Sequence, residues 1–292
     1  MSQFLQYLFS GITVGSIYAV VAIGFNLIYS TTGVLNFAQG EFVMLGGMTA
    51  ISLLAAGFPL PMAILAAVIL VGVFGALLEL VFFRHLKSHS PLHMIVITIG
   101  LSIVIREAAL HIWDEKVRSL PYFTGDECSS LRIFGAAISP QVLWVLGAVG
   151  IVVIGLYAFL IGTLKGKAMR ACASNPVAAT LAGINTANMR TLAFSLSAAI
   201  GAIGGCMISP ISMTQYDMGT GLAIKGFAAA ILGGLGNPIS GVVGGLIVGI
   251  AEAFSVSVLP AAYKDATAFS ILLLVLFFRP QGLFGVRKIR EA

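Results

Sequence analysis

Stretches of about 20 apolar residues recur from one end of this chain to the other, the length a helix needs to cross the hydrocarbon core of a bilayer. Apolar runs and breakers place them near residues 7–29, 41–57, 61–83, 92–111, 141–163, 190–210, 222–235, 239–259 and 265–278. In lipid, backbone polar groups must be satisfied within the segment, so these runs are expected to be helices. A β-barrel would show short alternating segments, which the sequence lacks. Hydrophobic residues make up 59% of the 292 and charged residues 9%, against about 45–50% and about 25% in soluble domains. The expected fold is all-α, a polytopic transmembrane helix bundle of about 8–9 spans with broken or re-entrant segments. Residues 1–292 read as a single transmembrane domain.

Two places break the helix pattern. Tyr29 to Glu41 contains Thr31, Thr32, Gly33, Asn36, Gln39 and Gly40. The seventh segment is short and meets Gly233, Gly234, Gly236, Asn237 and Pro238, which no helix continues through unbroken, so it reads as a half-helix or re-entrant segment. Irregular backbone at membrane depth is tolerated only inside protein or along a water-filled cavity. That favours a pathway-lining role for Asn26, Asn36, Gln39 and Glu41.

A charged side chain at the bilayer centre costs about 2.5–3.5 kcal/mol on insertion scales. Glu252, three positions after Gly249, reads equally as a partner for a neighbouring helix or as a pathway residue. Glu79 and Arg84, and likewise Arg106, Glu107 and His111, lie near span ends, where snorkelling to the interface explains them more simply. Small residues recur every fourth position at Gly11, Gly15 and Ala19; at Ala193, Ser197, Gly201, Gly205 and Ser209; and at Gly241, Gly245, Gly249 and Ala253. Such stripes are seams for close helix packing, some of which could slide during gating.

The net charge of +5 comes from short basic clusters between apolar runs, a topology signal and not a nucleic-acid surface. With nine spans, Arg84, Lys87, Lys165, Lys167, Arg170, Arg190, Arg279, Arg287, Lys288 and Arg290 fall on one side, and Lys116, Arg118, Arg132, Lys225 and Lys264 on the other. The richer side is cytoplasmic, which places the C-terminus inside and the N-terminus outside. Met1 to Gln6 carry no basic region ahead of the first apolar stretch, so no cleaved signal peptide is expected. Cys128, Cys172 and Cys206 show no metal-site or redox spacing and read as free thiols.

Residues 112–140 form an external loop, and residues 164–190 an internal one too polar for the bilayer. Within the latter, Asn175 is a good N-cap, Pro176 suits the first helical position, Val177 to Ala182 continue, and Gly183 suits the end. A short helix of small residues on the inner face fits docking to a cytoplasmic protein better than deep insertion into lipid.

Three ordered segments carry a resemblance: Leu35-Asn36-Phe37-Ala38-Gln39-Gly40-Glu41; Gly166 to Ala173 through Leu181-Ala182-Gly183-Ile184-Asn185; and Ala230 to Pro238. Together they resemble the branched-chain amino acid permeases of bacterial ABC importers, over nearly the whole chain. The resemblance implies an inner-membrane permease subunit beside a second related permease, with two cytoplasmic ATPase subunits and an external substrate-binding protein. It also implies a coupling helix around Arg170, Asn175, Pro176, Leu181, Gly183 and Ile184, seated in a groove of the ATPase. Arg170 to Ser174 replace the Glu-Ala-Ala opening common in other importer permeases, so the likeness is to this family's own variant.

The sequence has no Gly-rich phosphate loop, metal cluster or paired nucleophile and base, so the chain is expected to bind no cofactor and not to be an enzyme. The resemblance implies that ATP and magnesium are bound by the partner ATPase subunits. The rival readings are a self-sufficient secondary transporter or channel for a small polar solute, and a purely structural subunit. The first should show inverted repeats and a midplane ion site, of which Leu45-Gly46-Gly47 against Leu232-Gly233-Gly234 is a faint echo. The second leaves the polar breaks unexplained.

Overall fold

Each of the nine apolar segments lies on a helix. The computed structural model describes residues 2–84, 91–126, 129–133, 136–257, 260, 263–279 and 281–284. Lys87, Cys128, Arg287, Lys288 and Arg290, which enter the charge and cysteine readings, lie outside them. In chain order come α1 (Ser2–Thr32), α2 (Gln39–Ala55), α3 (Leu60–Leu78), α4 (Pro91–Trp113), β1 (Leu131–Ile133), β2 (Ala136–Ile138), α5 (Pro140–Gly162), α6 (Leu164–Ser174), α7 (Pro176–Leu181), α8 (Thr186–Ser212), α9 (Met218–Gly233), α10 (Ser240–Ser255) and α11 (Lys264–Phe278). A π-helical turn, Glu79–Phe83, extends α3. Among the described residues five helical stretches are long and apolar enough to cross a membrane: Gln3–Thr32, Leu60–Phe83, Leu92–Trp113, Pro140–Gly162 and Thr186–Ser212. The chain is an all-α polytopic membrane bundle, and the antiparallel β1–β2 hairpin in the 112–140 connection is a small element that the apolar pattern does not announce.

α1 is the axis of the bundle, packed against α8, α9 and α10. Its Ala19, Val20, Val21, Ala22 and Phe25 are wholly buried. α3, α4 and α5 instead present Leu65, Ile69, Val96, Val104, Ile151 and Ile154 outward, as helices apolar all round do when lipid or another subunit covers them.

The small-residue stripes are seams. A Cβ built on Gly11 would lie 2.7 Å from Ile250 Cα, and one on Gly15 would lie 2.8 Å from the Gly245 carbonyl oxygen. α1 and α10 therefore touch backbone to backbone, which only glycine permits. On α8, a Cβ on Gly201 would meet Phe42 Cβ at 3.1 Å, and Gly205 lies against the Val43 carbonyl.

The 112–140 connection is fastened to the end of α8. Arg118 and Thr214 exchange backbone hydrogen bonds of 2.9 and 2.6 Å. Leu120 N donates to Ser209 Oγ at 3.1 Å, and Gln141 Nε2 donates to the Met207 carbonyl at 3.2 Å. The chain beyond α11 turns back to α9, where Leu283 N donates to the Leu232 carbonyl at 2.8 Å and Phe284 N to the Gly233 carbonyl at 3.1 Å. Those are carbonyls a helix end leaves without intrahelical partners.

Candidate functional site

The first break turns the chain back on itself. α1 runs to Thr32, Gly33 adopts a φ of 70°, and α2 starts only at Gln39. Asn36 Oδ1 accepts from Ala38 N at 3.1 Å, and Thr98 Oγ1 of α4 accepts from Phe37 N at 3.2 Å. The return carries Gln39 into the interior beside Gly24, where its amide fills the space a Cβ on Gly24 would need. Ser197 Oγ of α8 stands 2.6 Å from Gln39 Oε1 and 3.0 Å from the Gly24 carbonyl oxygen, one proton serving both, and Gln39 Nε2 donates to the Ser197 carbonyl at 3.3 Å. Gln39 thus joins α2, α8 and α1.

Two residues on, Glu41 is wholly buried at the junction of α2, α4 and α9. Ser102 Oγ donates to its Oε1 at 2.8 Å and Thr220 Oγ1 stands 3.4 Å from the same oxygen. Its Oε2 has no hydrogen-bond partner among the described residues and occupies the space beside the Cα of Gly219. Buried polar atoms are ordinarily paired, so this oxygen is poised to accept a donor.

Asn26 and Glu252 are not part of that junction. Asn26 Oδ1 accepts from Gly236 N at 3.0 Å and holds the turn between α9 and α10, with Gly241 alongside. Glu252, about three turns further along α10, is wholly buried and accepts from Lys225 Nζ of α9 at 2.8 Å. Lys225 also reaches Asp265 of α11 at 2.6 Å, and Lys264 Nζ lies 3.5 Å from Glu252. Of its two readings, Glu252 has the helix partner the structural one requires. Lys225, counted with an outer connection in the charge reading, lies instead within α9, its ammonium shared between Glu252 and Asp265.

Glu79 corrects the snorkelling expectation. Its side chain is wholly buried, 3.5 Å from Arg190 Nε, and accepts from Thr191 Oγ1 at 2.5 Å. The π-helical turn points it inward, to α8, beside an enclosed space also lined by Asn36, Thr98 and Met94. Glu107 is exposed and Arg106 partly so, their charges 3.8 Å apart.

The internal connection is more helical than the sequence reading. Thr163 Oγ1 accepts from Gly166 N at 2.9 Å and starts α6 through residues taken as a polar link. Arg170 is exposed on α6 and lines a cavity of about 380 Å³ with Tyr157, Met169 and Asn237. Asn175 Oδ1 accepts from Val177 N and Ala178 N, both at 3.0 Å, with Pro176 opening α7. Gly183, at φ 84°, ends it: Gly183 N donates to the Thr180 carbonyl and Ile184 N to the Ala179 carbonyl, a Schellman closure. Leu181, an apolar residue, is left 85% exposed.

Among the partners of the candidate residues, Ser102 and Thr220 carry no signal in the sequence, Ser197 reads there only as a small residue of a packing stripe, and Lys225 only as a charge of an outer connection, although it lies inside an apolar run.

The chain belongs to the family described as "Branched-chain amino acid transport system / permease component", whose model matches residues 7–277. It is 36% identical over 305 aligned positions to the high-affinity branched-chain amino acid transport system permease protein BraD of Pseudomonas aeruginosa, covering 99% of this chain and 98% of that one. It is 33% identical to the corresponding permease protein LivH of Escherichia coli K12, covering 99% and 97%. A chain of the solved structure titled "PsaBC from Streptococcus pneumoniae in complex with Fab" aligns over 97% of this chain and 94% of that one at 14% identity, with a TM-score of 0.49.

The chain is accordingly a multi-pass inner-membrane permease subunit of an ABC-type importer. The family operates with ATPase and substrate-binding partners, and ATP hydrolysis resides in the former.

Proposed function

We propose that this chain is one half of a paired permease that imports branched-chain amino acids by alternating access. Helices α1–α5 and α8–α11 cross or enter the membrane, with the N-terminus outside and the C-terminus and the 164–190 connection, which holds α6 and α7, in the cytoplasm. A second related permease completes the pathway, two ATPases bind beneath, and an external binding protein delivers the ligand and supplies much of the selectivity. Asn36, Gln39 and Glu41 line the pathway, and the segment from Arg170 to Ile184 is the coupling element.

The observation that carries this reading is the position of α7. A six-residue helix, capped at both ends, presents Val177 and Leu181 to solvent and leads through Ile184 directly into α8. The first turns of α8 hold Glu79 through Arg190 and Thr191, next to the space that Asn36 lines. A push on α7 is therefore delivered to a buried ionic contact at the edge of the break between α1 and α2. The ATPases can bias the permease only if its two states differ in their contacts with them, and an exposed apolar helix provides such contacts.

The test is reconstitution of the complete set of subunits in liposomes, with ATP inside and leucine presented by the binding protein outside. Leucine accumulates with ATP and not without it. Gradient-driven uptake by this chain alone would instead establish a self-sufficient transporter.

A further inference from the structure

At the far end of α8 from α7, helices α8, α9 and α11 surround an open cavity of about 320 Å³, within the range of about 300–1,000 Å³ typical of small-molecule sites. Its walls are of two kinds. Met213, Met218 and Leu222 form an apolar side. Beside them, about one turn beyond Leu222 on the same face of α9, stands Lys225, 2.6 Å from Asp265 of α11, with Gln215 on the same lining.

The two charges are held differently. The Lys225 ammonium is anchored from behind by the wholly buried Glu252 at 2.8 Å and is only 17% exposed. The Asp265 side chain is 70% exposed, at the rim, with solvent in which to swing aside. An anchored cation, a movable anion and an apolar wall are the complement of a small molecule that carries a carboxylate and an ammonium on one carbon and an aliphatic side chain beyond it.

We propose that this cavity is the entry site for an aliphatic amino-acid zwitterion. The α-carboxylate accepts from Lys225 Nζ, the α-ammonium donates to the Asp265 carboxylate and to Gln215, and the side chain lies on Met213, Met218 and Leu222. The assignment rests on reading the chain as an amino-acid permease and adds where and how that substrate is first held. Insertion replaces one ion pair by two and leaves the net charge of the site unchanged. A carboxylic acid without the amine, or an amine without the acid, instead leaves one protein charge unmatched, and a site built on paired charges rejects such analogues.

Two variants separate this role from a plain tie between α9 and α11. Asp265→Asn removes the movable anion from an exposed position. Gly221→Leu adds bulk to the cavity lining at a position where a Cβ meets nothing within 4 Å. Radiolabelled leucine is measured on the purified permease–ATPase complex without the binding protein. The wild type binds saturably, and isocaproate and isoamylamine compete at least about 100-fold less well than leucine. Both variants weaken binding at least about tenfold, while the complex is recovered assembled, as the wild type is.

The proposal is overturned if both variants bind leucine as the wild type does, if the analogues compete equally well, or if the wild type shows no saturable binding. Where ATP-driven uptake of leucine persists alongside any of these results, the cavity assignment fails alone. Where the complete wild-type system imports no amino acid, the functional reading fails with it.

Discussion

Thr191 Oγ1 donates to Glu79 Oε2 at 2.5 Å across 112 positions of sequence, and Arg190 places its guanidinium 3.5 Å from the other oxygen of the same carboxylate. Three residues thereby link the π-helical end of α3 to the start of α8. Breaking a buried charge pair from one side costs about 3–5 kcal/mol, and the residual exposure of Arg190 places this case near the lower figure. A hydrogen bond to a charged group is worth about 1.5–3 kcal/mol. Glu79→Ala therefore melts lowest in detergent, Thr191→Val melts between it and the wild type, and both lower ATP-driven uptake. Equal melting of Glu79→Ala and wild type would contradict the link.

The seam between α1 and α10 tolerates no side chain at Gly15, where a Cβ would lie 2.8 Å from the Gly245 carbonyl oxygen and 2.9 Å from Leu246 Cα. Gly15→Leu forces the two helices apart, and little monodisperse protein is recovered by fluorescence-detected size exclusion. Gly100 on α4 has nothing within 4 Å of its Cβ position. Gly100→Ala is recovered in full and gains about 0.5–1 kcal/mol from reduced backbone freedom. Identical recovery of the two variants would refute the packing account.

Asn175 satisfies two backbone donors of α7, and its replacement by Ala costs about 1 kcal/mol locally. Gly183→Val places a β-branched residue at φ 84°, a strain of about 1–3 kcal/mol. Neither change touches the membrane-embedded helices. Both variants insert and assemble normally, ATPase activity persists, and leucine uptake per ATP falls, with Gly183→Val the more severe. Unchanged uptake by Gly183→Val would sink the docking assignment of α7.

Glu41→Gln keeps the acceptor that Ser102 uses and removes the charge, whereas Gln39→Leu removes the ties to Ser197 that join α2 to α8. A pathway role predicts that Glu41→Gln melts like the wild type yet loses uptake. A joining role predicts that Gln39→Leu loses thermal stability, by about 0.5–1.5 kcal/mol for each of its two bonds to Ser197, whose hydroxyl keeps the Gly24 carbonyl. Normal uptake by Glu41→Gln removes it from the pathway.

The helices were readable because lipid imposes a length and a composition on every crossing segment, so the nine runs map onto nine helices with ends shifted by a few residues. The caps of α7 were readable for the same kind of reason: Asn175, Pro176 and Gly183 act on their own neighbours. Long-range pairings were not. Glu79 looked like an interfacial residue because it lies near the end of an apolar run, and nothing local reveals that α8 delivers Arg190 and Thr191 to it. Lys225 likewise looked like a connection charge until α10 and α11 brought Glu252 and Asp265 alongside. Helix α6 was passed over because its lysines and arginine hide a run that Thr163 caps.

The return of Leu283 and Phe284 to the carbonyls at the end of α9 bears on how the protein is made. Helices leave the ribosome in order, and α9 reaches the bilayer some fifty residues before the segment that closes it. Until that segment is synthesised, two carbonyls at the foot of α9 have no partner. A fusion tag attached beyond the last residue leaves the closure intact, whereas a reporter replacing residues from 283 onward removes it, and the nascent bundle then stays open to membrane proteases.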